Sequence, residues 1–475
     1  METSRPSPRV APFVWAYAAL VAIVFAYFLV DLPVQVSDSY GNLVQAASEP
    51  SVGSLVTKQF WSRSYLRPLL WGNIRVVLDL SNGHYFEWFR GWHVAQVAVL
   101  IVFFVRLVRP RTLAAAAVLP LGLAALIGMH TFDGTVREAF PINTFLTIVL
   151  CCLAAADLAL GEPRWWRDLA SALLFAFSAL TVESGLLVAV IFVTAFAVGA
   201  RGVSRVGLAA QLALVAGYFF LRFSVLHVGA PELTERSSGF GFSTRNPSDL
   251  IAMFGGHPLV FYAYNVGSSI LSLLFSEPRE GVWTVTRSVV EGGVPIGGLV
   301  NIAASALGTA LIGAYLWSRR RAWLRWEFTR DDQIVVMFLG VAAANATISY
   351  AYTKDVILSP AGVFYALALA VAAQWCVGVA LQARGRAFAT AALALVLLSG
   401  LWGFRAVGAH LGLRQAALAV RNEWAYVDGW LERERPGPLS PFAAALKAQL
   451  QYDAVHRHPA RPPLAGRWMQ WFDSE

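Results

Sequence analysis

Charge, cysteine and lysine are all scarce in this chain. Of its 475 residues only 14% are Asp, Glu, Lys or Arg, while 57% are hydrophobic, more apolar surface than one globular core could hide; an ordinary soluble domain is excluded. The cysteines, Cys151, Cys152 and Cys376, all lie inside apolar runs and supply neither a disulfide framework nor a metal cluster. Lysine occurs only at Lys58, Lys354 and Lys447, and every other basic residue is arginine, the bias of a GC-rich bacterial genome. No basic stripe with interleaved aromatics lies outside the loops that flank apolar runs. The net charge of +8 therefore speaks for membrane topology and against nucleic acid as a partner. The histidines show no metal-ligand spacing, no glycine-rich loop has the strand and helix around it that a nucleotide-sugar site needs, and no internal repeat of the transporter kind is visible.

What is there is a succession of apolar runs, the mark of an all-α polytopic membrane protein. The first, residues 10–32, lacks a small-residue cleavage pattern and reads as a retained helix. Arg5 and Arg9 place the N-terminus in the cytoplasm, so residues 34–92 form a first external loop. Spans follow at 93–108, 112–129 and 144–160. Residues 169–200 are too long for one span, and Glu183, Ser184 and Gly185 break them into two short helices that meet at the outer face. A carboxylate at such a depth is costly, hence paired or functional. Residues 206–224 exit again. The apolar stretch 259–275 reads as an in-plane or re-entrant helix inside a second large external region, 225–295, because a crossing there would put the basic cluster after Ser318 outside. Spans at 296–317, 334–350, 356–381 and 387–410 complete about eleven crossings. Residues 411–475 read as a small extracytoplasmic segment packed on the loops, and residues 1–410 as the membrane domain.

Polar residues then sort by side. Asp38, Tyr40, Arg63, Arg67, Asp133, Arg137, Glu138, Glu183, Arg222, His227 and Lys354 gather on the external face from loops far apart in sequence, while the cytoplasmic face carries mainly arginine. Acids and bases converging on one side are what a site at the outer boundary requires.

Several of these segments, in order, resemble the GT-C class of integral-membrane glycosyltransferases, which includes the protein O-mannosyltransferases and the lipid A and lipopolysaccharide sugar transferases. The pieces are VSDSYGN at Val36, YLRPLLW at Tyr65, HTFDGTVREAFPIN at His130, LTVESGLLVAV at Leu180, GYFFLRFSVL at Gly217 and YTKDVILSPAG at Tyr352. TVESG is similar to that family's SKE-type element with Val182 where lysine is common, and YTKDVILSP is similar to its late Arg-Tyr-x-x-Pro motif with Lys354 in place of the arginine. The resemblance covers roughly residues 10–410. It implies a GT-C-like fold in the bacterial inner membrane and inverting transfer of a sugar from a polyprenyl-phosphate donor to a lipid, glycan or protein acceptor on the far side.

Under that resemblance the reaction needs a base for the acceptor proton and positive charge on the departing phosphate. Asp38, just beyond the first helix, is the candidate base; its structural alternative is the cap of a short helix starting at Ser39. Asp133 and Glu138 are candidates for acceptor binding, and Asp38 with Asp133 for holding a divalent cation, Mg or Mn; the alternative is a solvated loop with an Asp133–Arg137 pair. Arg222, Lys354 and Arg137 are the phosphate candidates, against snorkelling for Arg222 and neutralisation by Asp355 for Lys354. Glu183, Tyr40 and Arg67 support them, Glu183 either orienting a cation or plugging the helix break. A transporter or lipid flippase, or a non-catalytic protein on the same fold, are the other classes the chain could belong to.

Overall fold

The computed structural model describes residues 10–30, 32, 37–62, 65–132, 144–229, 233, 237–256, 258–277, 279, 283–293, 296–351, 353–383, 385–420, 424–434 and 437–456. It is about 82% helical, and the one sheet among the described residues is a two-stranded antiparallel ribbon, Ser238–Phe240 with Ser243–Arg245. Among the described residues seven helices are long and apolar enough to cross a membrane: Val10–Val30, Tyr85–Val108, Arg205–Val225, Ile296–Leu324, Arg330–Ile348, Asp355–Gln382 and Phe388–Arg414. Shorter apolar helices lie at Leu113–Gly128, Thr144–Ala159, Glu183–Ala197 and Leu259–Phe275. The protein is an all-α polytopic membrane protein.

The elements follow the apolar runs, but their ends differ where hydropathy and helix part company. The helix expected over 93–108 starts at Tyr85, because Tyr85, Phe86 and Phe89 pack into a core above the bundle while Arg90 is buried, donating from Nη2 to the Leu32 carbonyl at 2.8 Å. The segment expected to begin at 411 starts instead within the helix Gly385–Val420 and continues in a separate helix, Trp424–Glu434.

The bundle has two distinct ends. At the lower end, Arg106 pairs with Asp157 at 2.8 Å, Arg319 with Asp332 at 2.8 Å, and Gln333 donates to the Val198 carbonyl at 3.1 Å. At the upper end the Ser359 hydroxyl donates to the Thr131 carbonyl at 2.5 Å and the Asn345 amide to the Ile357 carbonyl at 2.9 Å. Between them runs the central helix, whose residues from Leu358 to Ala373 are all buried. Its alanines let neighbours approach closely, as small residues do in membrane interiors. Gly128 allows another close crossing, since a Cβ there would lie 3.0 Å from the Trp402 carbonyl oxygen.

The middle of Leu259–Phe275 and the residues past its C-terminus meet the turn at Ser349 and Tyr350 at the upper end. Asn265 donates to the Tyr350 carbonyl at 2.8 Å, and past the helix Arg279 donates to Ser349 Oγ at 3.2 Å.

A second core caps the upper end. The loop helices Ser37–Ser48, Val52–Phe60 and Pro68–Ser81 bury Tyr40, Leu43, Leu55, Ile74 and Leu78 against Val427, Leu431, Leu446 and Leu450 of the C-terminal helices. Tyr85 donates to Asp453 across this contact. The C-terminal segment therefore helps hold the first loop in place over the bundle.

Candidate functional site

Glu183, Arg67 and Arg222, from three distant segments, meet at the upper end. Glu183 opens a 3-10 turn, Glu183–Leu186, after the extended residue Val182. The turn folds back on the preceding helix, Trp165–Ala179, so closely that a Cβ at Gly185 would lie 2.1 Å from the Ser178 carbonyl oxygen; only glycine fits. Ser178 Oγ donates to the Gly185 carbonyl at 3.0 Å and locks the turn.

Arg67 is the cap residue of Pro68–Ser81, with Pro68 at the first helical position, where its missing N–H is harmless. The Leu69 N–H donates to the Leu180 carbonyl at 3.1 Å, fixing the loop helix on the Glu183 turn. Arg67 Nε and Nη2 then both donate to Glu183 Oε2, at 3.0 and 2.7 Å.

Arg222 lies in a π-helical turn, Phe220–Val225, whose extra residue per turn re-aims its side chain. Its Nη1 donates to Glu183 Oε1 at 3.2 Å and to the Tyr218 hydroxyl at 3.0 Å. The Arg222 side chain is 6% exposed, against 25% for Arg67 and 19% for Glu183, so it is buried and does not snorkel to water. Its Nε has no hydrogen-bond partner among the described residues. Two guanidiniums from distant segments thus converge on one carboxylate, Arg67 being the more exposed of the two.

A second polar chain at the same end starts from buried Arg405 in the last membrane helix. Arg405 Nη2 donates to His130 Nδ1 at 3.2 Å, which requires the tautomer protonated at Nε2. His130 Nε2 therefore donates to Ser272 Oγ at 2.9 Å, and Ser272 donates on to Asp355 Oδ1 at 3.1 Å. Burial, together with the facing Arg405, holds the His130 pKa well below the usual imidazole range. The Arg279 N–H reaches Asp355 Oδ2 at 3.4 Å. His130, Ser272, Arg279 and Arg405 were not among the site residues expected from sequence; the exception to their silence was Arg405, a lone cation in an apolar run.

Lys354 precedes the 3-10 turn Asp355–Leu358, is partly exposed, and makes no ion pair among the described residues. Asp355 is turned toward Ser272 and Arg279, so neutralisation of Lys354 by its neighbour is not what the geometry holds. Tyr40 is buried in the loop core with its ring 5.3 Å from that of Trp424, a packing position. Asp38 falls in the first turn of Ser37–Ser48, which begins two residues before the expected Ser39; its side chain lies outside the described residues. Asp133, Arg137 and Glu138 also lie outside them. Among the described residues no three His, Cys, Asp or Glu side chains gather as a metal site. No family model, curated protein or solved structure matches the chain.

Proposed function

We propose that the protein is a glycosyltransferase of GT-C type. It would move a sugar from a polyprenyl-phosphate donor to a lipid, glycan or protein acceptor at the extracytoplasmic face of a bacterial inner membrane. The Arg67–Glu183–Arg222 cluster carries this reading. It gathers two guanidiniums at the bundle end, beneath the packed loop helices, and a lipid phosphate with its tail in the bilayer and its sugar at the surface would meet such forks there. In this reading the arginine-rich lower end is cytoplasmic, the upper end external, and about eleven helices cross, with Leu259–Phe275 confined to the external region.

The acceptor hydroxyl attacks the anomeric carbon and the bond from that carbon to the phosphate oxygen breaks. The bonding electron pair leaves with the phosphate, and the hydroxyl proton goes to Asp38. Arg67 and Lys354 would stabilise the departing phosphate. Arg222 holds Glu183, and Glu183 in turn orients Arg67 through the paired Nε and Nη2 bonds. A Mg or Mn ion on Asp38 and Asp133 would add charge at the same phosphate; activity that survives chelation of a metal-free preparation would remove that part.

The test is sugar transfer by purified protein in liposomes, with a panel of polyprenyl-phosphate sugars and membrane acceptors, wild type beside Asp38→Asn. Transfer that disappears in the variant supports both reaction and base. Full activity in the variant removes Asp38 from that role, and donor binding without chemistry under every acceptor removes the enzyme reading.

A further inference from the structure

The lower end holds a cavity that the proposed reaction does not use. About 320 Å³ in volume, it lies between the start of Val10–Val30, the end of Tyr85–Val108, the loop after Thr144–Ala159 and the start of Arg330–Ile348. Its polar wall carries Arg106, Arg109, Arg167, Arg330 and a single carboxylate, Asp157. Asp157 is taken by Arg106 at 2.8 Å. Arg167 Nη1 donates to the Leu158 carbonyl at 2.7 Å and its Nε has no partner, while Arg330 Nη1 reaches the Leu107 carbonyl at 3.3 Å. Among the described residues none of Arg109, Arg167 and Arg330 forms an ion pair within 4.0 Å, and only Arg330 has carboxylates, Asp331 and Asp157, acting on it from farther off. Guanidiniums crowded around a cavity repel one another, and an anion seated among them relieves that repulsion.

The opposite wall is apolar. Ala11, Val14 and Trp15 come from the first helix, which turns Phe13 (69% exposed) and Trp15 (42%) outward where a bilayer would lie. A ligand that fits both walls has an anionic head and a hydrocarbon tail. Water occupies roughly 30 Å³ per molecule, so the volume suits a phosphodiester head group and not a single small ion. Forked guanidiniums match phosphate oxygens, and basic pockets between membrane helices on the cytoplasmic side are suited to anionic lipid heads.

We propose that this cavity is a binding site for the phosphate head group of an anionic phospholipid. The tail lies along the first helix. The site is separate from the upper cluster and does not depend on the chemistry there.

The experiment is native mass spectrometry of the full-length protein equilibrated with phosphatidylglycerol, with phosphatidylcholine as comparator and inorganic phosphate as competitor. Wild type is expected to retain phosphatidylglycerol about tenfold better than phosphatidylcholine, equivalent to about 1.4 kcal/mol. Arg109→Asn with Arg330→Gln is expected to abolish the preference, and Arg201→Gln with Arg205→Gln, outside the cavity, to leave it intact. Should the double variant not fold, Arg109→Asn alone carries the test: its backbone has φ of 45°, a region asparagine tolerates, and its side chain makes no hydrogen bond among the described residues. Equal retention of the two lipids, or equal preference in wild type and cavity variant, overturns the proposal. Complete displacement of the lipid by inorganic phosphate overturns it too, because the site would then take a free anion.

Discussion

Removing the carboxylate of Glu183 tests the upper cluster as a physical unit. Glu183 accepts three charge-assisted hydrogen bonds, two from Arg67 at 3.0 and 2.7 Å and one from Arg222 at 3.2 Å. Glu183→Gln removes the carboxylate that both guanidiniums share and turns an amide N–H toward one of them. Breaking one partner from a buried pair costs about 3–5 kcal/mol. Arg67 and Glu183 are 25% and 19% exposed, so water screens their half of the interaction, whereas Arg222 at 6% has little such relief. A loss of about 3 kcal/mol is expected for Glu183→Gln and about 2 kcal/mol for Arg67→Gln. The double variant is expected to lose about 3 kcal/mol instead of their sum, a coupling of about 2 kcal/mol. Reversible unfolding in mixed detergent micelles, followed by tryptophan fluorescence, measures all four corners of the cycle. Losses that add within about 0.5 kcal/mol would refute the shared cluster.

Three further outcomes are expected. Lys354→Ala should weaken binding of a polyprenyl-phosphate sugar directly, and Arg222→Ala should weaken it through the misplaced Arg67, while detergent-solubilised protein stays folded; unchanged binding in both would detach the phosphate from Lys354 and from the arginine that Arg222 positions. The stability of the fold should fall in acid through His130. Its folded pKa is held low, so below about pH 6.5 the unfolded chain takes up a proton that the folded one refuses. From pH 6.5 to 5.5 wild type should lose about 1 kcal/mol more than His130→Gln, and superimposable pH curves would contradict the neutral, Arg405-facing imidazole. At the lower end, Asp332 caps Arg330–Ile348 within a capping box with Thr329, accepts from Tyr315 and pairs with Arg319 at 2.8 Å. Asp332→Ala should cost about 3 kcal/mol or more in the same unfolding measurement, and a loss under about 1 kcal/mol would show the pair to be dispensable.

The apolar runs were legible because long hydrophobic stretches with few charges have few other uses. The break at Glu183 was legible for the opposite reason: a carboxylate followed by Ser-Gly interrupts an otherwise apolar stretch. The start of the loop helix at Pro68 carries a local signal, since Pro favours the first helical turn. Other features had no local signal. The early start at Tyr85 belongs to aromatic packing above the bundle, which hydropathy does not report. The His130 chain is assembled from partners 142 and 275 residues away in sequence, so a histidine without metal-ligand spacing looked isolated. Tyr40 carries no mark in sequence to separate a ring that faces a substrate from one that packs under Trp424. The π turn at Arg222 was equally silent, and burial of that side chain followed only from the turn.

The fate of the bond between sugar and phosphate separates the enzyme from a carrier of the same lipid. Wild-type protein in sealed liposomes would be given a polyprenyl-phosphate sugar labelled in the sugar, with acceptor present, and the products separated by chromatography. The expected result is label on the acceptor in step with release of free polyprenyl phosphate. Label that crosses the bilayer still attached to its lipid, with no free polyprenyl phosphate formed, would contradict glycosyl transfer and make the protein a flippase.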